Sequence, residues 1–150
     1  MSLIIPYLKL ASADYVVYLK LGPRIDDEWI DSAIEVYEEE SLFFKLSPLW
    51  YFNEPQILLS IMEKFLQNPS QKNTYELMDD PTVEFSFDDE YDGMILRLYR
   101  SFKLQDHLTL YLDIDQLKHL VAYLKLYIGK LNKKAKEIQT MYENGFLQGD

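Results

Sequence analysis

Between Leu108 and Tyr142 the spacing of apolar residues changes period once, and that change narrows the folds open to the chain. Leu108, Leu110 and Leu112 alternate with Thr109 and Tyr111, the two-residue repeat of a strand buried on one face. From Leu117 onward, Val121, Leu124, Ile128, Leu131, Ala135, Ile138 and Tyr142 return at spacings of four and three, which sets them along one side of a helix. Asp113 and Gln116 stand where a capping box would start it. The pattern predicts a strand leading directly into a helix over 114–142, about 43 Å long at 1.5 Å per residue.

An earlier segment follows the same plan. Leu3–Leu10 and Tyr15–Leu21 alternate as strands, with Pro6 demoting the first to an edge and Gly22-Pro23 ending the second. Arg24 to Ser32 is a loop or a short helix. Ala33–Glu38 and Leu42–Leu46 flank Glu39-Glu40-Ser41 as a hairpin, although no Asn-Gly or Asp-Gly sets its turn. Asn53 then sits as an N-cap with Pro55 in the first turn, and Ile57, Leu58, Ile61, Met62, Phe65 and Leu66 form one apolar face before Asn68-Pro69. Thr82–Phe87 and Met94–Phe102 complete the strands. The expected fold is α+β, a single domain over 1–150. It has one antiparallel sheet of about five to seven strands, with two main helices on one face and the second long and C-terminal.

The apolar stripe narrows beyond Asn132, so 131–150 reads as a helical extension. Leu117, Leu124, Leu131 and Ile138 lie seven apart, the spacing of a coiled-coil seam. Two readings stand. Either the extension curls back over its own domain, or Leu131, Ala135, Ile138 and Tyr142 meet a second copy as a homodimer seam. Gly129 marks a break or a close crossing.

Charge narrows the function classes. Net charge is −10, and it is unevenly placed: residues 24–40 hold eight acids against one base, and 76–92 hold eight acids and none. Such a surface repels phosphate backbones, so nucleic acid is not an expected partner, whereas a basic protein is. Cysteine is absent, which removes disulfides, thiolate metal sites and cysteine nucleophiles. No apolar run approaches the ~18 residues a bilayer span needs and the start lacks a basic leader, so a soluble cytoplasmic protein without membrane contact is expected.

No motif names a reaction. Asp88-Asp89-Glu90-Tyr91-Asp92-Gly93 has the early spacing of a calcium loop, but Tyr99 stands where a bidentate glutamate is required and both flanks read as strand. A hairpin turn with Gly93 supplying positive φ explains it more simply. His119 follows Asp115 by four residues, and His107 follows Asp106, yet no third ligand or nucleophile joins either. Glu54 is the one acid beside an aromatic cluster, where a raised pKa or a helix-dipole role are both open. No cofactor, metal or catalytic residue is assigned.

Twelve tyrosines are numerous for this length. Tyr37 beside Glu38, Glu39 and Glu40, and Tyr91 within Asp88, Asp89, Glu90 and Asp92, pair an aromatic with each acid cluster, a composition suited to docking a lysine- or arginine-rich partner. Tyrosine is also simply favoured in strands.

The run Trp50-Tyr51-Phe52-Asn53-Glu54-Pro55-Gln56-Ile57-Leu58-Leu59, and the strand entering Asp113-Ile114-Asp115-Gln116-Leu117, resemble small acidic proteins of Gram-positive bacteria of the immunity type. The likeness covers about residues 33–131 and carries over no functional residue. It implies a protein that neutralises a toxin by binding it. The leading expectation is a non-enzymatic cytosolic binding protein of this kind. The alternatives are a homodimeric structural or regulatory domain, and an enzyme without a recognisable motif.

Overall fold

A computed structural model describes residues 5–70, 72–79, 82–91, 93–99 and 107–149. Among them the chain forms β1 (Tyr7–Ser12), β2 (Tyr15–Arg24), β3 (Trp29–Glu38), β4 (Ser41–Leu46), β5 (Trp50–Tyr51) and helix α1 (Glu54–Gln67). After these come β6 (Asn73–Glu76), β7 (Val83–Asp88), β8 (Gly93–Tyr99), β9 (His107–Asp113), α2 (Ile114–Ile128), α3 (Lys136–Glu143) and β10 (Leu147–Gln148). The class is α+β and every strand pair is antiparallel. Residues 3–4 and 100–102 of the expected strands lie outside the described residues.

The expected single sheet is two. One has six strands in the order β10-β1-β2-β3-β4 with β5 also on β3, and the other has four in the order β6-β7-β8-β9. Apart from β10, which returns to pair with β1, each half of the chain builds its own sheet and follows it with a helix. Side chains occupy the seam between them. The Tyr111 amide donates to Ser12 Oγ (3.1 Å), and the Gln116 carboxamide donates to the Ala11 carbonyl (2.6 Å) while accepting from its amide. These groups satisfy backbone that would otherwise seek a strand partner.

Both sheets turn alternate residues inward, as the two-residue period requires. Leu8, Leu10, Val17, Leu19, Ile34 and Val36 from the first meet Phe85, Phe87, Leu96 and Leu112 from the second in one continuous core. Into that core α1 places Leu58, Leu59, Met62 and Phe65, and α2 places Leu117, Leu120, Leu124 and the fully buried Tyr123. Trp50 is also fully buried, its indole donating to Ser32 Oγ at 3.1 Å. A buried Tyr or Trp needs such a partner. Tyr123 has two: it accepts from the Leu21 amide (3.0 Å) and donates to the Pro6 carbonyl (2.8 Å).

The continuous helix over 114–142 is broken. Helix α2 stops at Gly129, which takes φ 87°, and the amides of Gly129 and Lys130 return to the carbonyls of Leu126 and Lys125. That pattern closes a helix end and needs a left-handed residue. The chain restarts as α3 and packs on its own core: Ile138 and Met141 are buried, and Leu131, Ala135 and Tyr142 lie partly buried against the same cluster. The extension curls back, and the seven-residue spacing of Leu117, Leu124, Leu131 and Ile138 does not run along one helix, nor do Leu131, Ala135, Ile138 and Tyr142. No helix among the described residues is long and apolar enough to cross a membrane.

Candidate protein-binding surface

The first acid cluster sits on a strained turn. Strands β3 and β4 pair from Glu38 to Ser41, leaving Glu39 and Glu40 as a two-residue loop. Their φ values are 50° and 72°. Two consecutive positive φ angles match the hairpin turn whose twist suits its strands, a turn usually built from Asn-Gly. Here two glutamates adopt it, both exposed. The hairpin is therefore as expected, in a conformation its residues do not favour.

Tyr37 points to the outer face of the six-stranded sheet. Its hydroxyl donates to Glu35 Oε1 at 2.8 Å, and its ring meets Tyr18 edge-on at 5.6 Å. The hydrogen bond to Glu35, followed by desolvation and the Glu35 charge, raises the Tyr37 pKa above the usual phenol value. The hydroxyl thus stays a donor. Register places Ala11, Val16, Tyr37 and Leu42 in one row across the strands, and Lys9, Tyr18, Glu35 and Lys45 in the next. Between Tyr7, Tyr18 and Tyr37 lies an open groove of about 620 Å³, bordered by Lys9, Glu35 and Glu40. Lys20 holds its ammonium 4.9 Å from the Tyr7 ring centre.

The second cluster caps the hairpin between β7 and β8. Asp88 accepts from the Glu90 amide at 3.0 Å, and Lys72 reaches Asp88 (3.5 Å) and Glu90 (3.4 Å). The Glu90 amide, then the Lys72 charge, hold the Asp88 carboxyl below its ordinary pKa against the opposing effect of desolvation. Asp89 is exposed, the Tyr91 ring meets that of Tyr111 at 5.7 Å and a tilt of 43°, and Asp92 lies outside the described residues. Gly93 is required for a reason other than the expected positive φ, which it does not have. A Cβ there would stand 2.0 Å from the Leu112 carbonyl oxygen, so the position needs glycine for close strand approach.

The two clusters lie on one rim. Glu38 pairs with Tyr15, Tyr15 with Ser12, Ser12 bonds the Tyr111 amide, and the Tyr111 ring touches that of Tyr91. Three strand spacings of about 4.8 Å (β3 to β2, β2 to β1, β9 to β8) and the seam between the sheets separate the turns. Asp113 and Asp115, at the start of α2, extend the rim past Asp89 around a hollow of about 450 Å³. Asp113 also caps α2 by accepting from the Gln116 amide at 3.0 Å, the role expected of it.

Other singled-out residues lie elsewhere. Glu54 is fully buried and accepts from the Tyr51 amide (2.7 Å), the Met78 amide (3.0 Å) and the Tyr75 hydroxyl. Burial, and then Glu54 itself, push the Tyr75 pKa far up. This carboxylate ties the start of α1 to β5 and β6. Asn53 makes no side-chain cap, and its buried Oδ1 has no hydrogen-bond partner. The His107 ring meets that of Tyr99 at 5.1 Å and the His119 ring that of Phe146 at 4.2 Å, both tilted. Burial lowers the His119 pKa against the pull of Asp115 and Asp113. Among the described residues, no three His, Asp or Glu side chains converge as metal ligands.

Tyr7, Tyr18, Glu35 and Leu42 belong to neither acid cluster in the sequence, although they share the outer face with Tyr37. The signal was available: Tyr7 and Lys9, Val16 and Tyr18, and Glu35 and Tyr37 are the alternate, outward positions of their strands.

The geometry defines an α+β domain of two antiparallel sheets with an acidic, tyrosine-bearing rim. No family model matches this chain, and no curated protein or solved structure matches it either.

Proposed function

We propose that the chain is a non-enzymatic protein-binding domain whose acidic rim receives a basic partner protein, in the manner of an immunity-type inhibitor that covers a toxin. The observation that carries the reading is the shared rim. Two acid clusters from different sheets, each with a tyrosine beside it, lie at one end of the molecule. A net negative field over this patch, in which Lys72 offsets only part of the second cluster, accelerates encounter with a basic surface and rejects acidic ones. The tyrosines supply rigid contact area once the partner has docked.

The test compares three chains: wild type, a variant with Glu38, Glu39 and Glu40 changed to lysine, and one with Asp88, Asp89 and Glu90 changed to lysine. Each is used as bait in extract of the native host, and each is co-expressed with the toxin genes of that host. The expected result is a basic protein retained by wild type, released as salt rises, and lost from both variants along with any toxin rescue. Capture and rescue undiminished by charge reversal, in variants that melt cooperatively, would overturn the reading.

A further inference from the structure

We propose that the groove between Tyr7, Tyr18 and Tyr37 is an anchor site for one arginine side chain of the basic partner. The inference rests on the partner's being basic and adds where, and by which group, it is held. Tyrosine faces carry negative potential and attract a cation placed over them. The protein already makes such contacts itself, with Lys20 4.9 Å from the Tyr7 centroid and Arg24 5.1 Å from that of Phe52. Acid is added on one side only, by Glu35 and Glu40. The Tyr37 hydroxyl holds Glu35 through Oε1, which fixes the carboxylate and leaves Oε2 for an incoming donor. A flat guanidinium both stacks on tyrosine and binds a carboxylate with two parallel N–H donors, so arginine suits this lining better than lysine. An open groove of about 620 Å³ accommodates that head and the aliphatic stem behind it. Lys9 borders the same groove, Lys20 already sits on the Tyr7 ring and Lys45 stands opposite Glu35, so an arginine enters beside bases that oppose it. The arrangement therefore makes a prediction of unusual sign: removing Lys9 strengthens binding, whereas it would weaken binding of an anion.

The probe is the blocked peptide acetyl-Gly-Gly-Arg-Gly-Gly-amide, titrated into the full chain while NMR follows the tyrosine rings and the rim amides. Its uncharged citrulline counterpart serves as control. The ring signals of Tyr7, Tyr18 and Tyr37 should move with the arginine peptide and not with citrulline. Tyr18→Leu should weaken binding about two- to fivefold, the contribution of one exposed ring. Lys9→Ser should tighten it about two- to threefold, as expected for removing a surface like-charge contact. Movement of amides 38–40 and 88–90 with still rings would overturn the anchor while leaving the acidic rim in place. Movement of neither would overturn the anchor, the acidic rim being judged by capture of the basic partner. Weaker binding in Lys9→Ser would also overturn the anchor, and that exposed-face change leaves the core intact.

Discussion

Replacing Glu54 by alanine would strand three donors at once: the amides of Tyr51 and Met78 and the hydroxyl of Tyr75. Hydrogen bonds to a charged acceptor are among the stronger ones, and a buried donor left without a partner costs its full desolvation. A loss of about 3 kcal/mol is expected in urea denaturation, with Glu54→Gln recovering part of it through its remaining acceptor. Asp113 and Glu54 show what single residues disclose before a fold is known. Asp113 stands at a change of period, and its cap is local, set by the next three residues. Glu54 draws its meaning from Tyr75 and Met78, more than twenty positions on, and no spacing rule reaches that far. His119 supplies a pH-dependent prediction. Its pKa is lowered in the folded chain, so the unfolded chain takes up the proton first. Its contribution is fully present above the ordinary histidine value of 6.5 and is lost as pH falls from there through the folded pKa. Thermal melts between pH 7 and pH 5 should show a decline that His119→Phe reduces.

Among the elements, the hairpin carrying Glu39 and Glu40 is the clearest case of a local rule broken and a structure formed regardless. Both glutamates occupy left-handed backbone. Changing Glu39→Asn together with Glu40→Gly supplies residues suited to that backbone and should raise stability by about 1–2 kcal/mol, read as a shift in denaturation midpoint at constant slope. The same double change should weaken retention of a basic partner by the rim. A gain in stability coupled to a loss of capture is the expected signature. The hairpin was legible because Ala33–Glu38 and Leu42–Leu46 alternate. The broken C-terminal helix was less so, for a physical reason. Spacings of three and four continue unaltered from Leu117 to Tyr142 because α2 and α3 both bury their apolar stripes in one core. Gly129 was the only local sign that the axis turns. Strands β5, β6 and β10 are two to four residues long and carry too little pattern to register.

For the molecule as a whole, the class of fold was readable and the number of sheets was not. Strand alternation shows which residues face inward but not whether two sets of strands share hydrogen bonds. That boundary is set by the side chains of Ser12 and Gln116, whose backbone partners at Tyr111 and Ala11 lie about a hundred positions away. The shared rim was equally hidden, because it depends on how β1 meets β9. One pairing also orders events in time. Tyr7 and Leu8 pair with Gln148 and Leu147, so β1 waits for β10. A chain emerging from a ribosome must hold that strand's edge open until residue 148 has left the exit tunnel, and a chaperone or a sister chain can reach it in that interval.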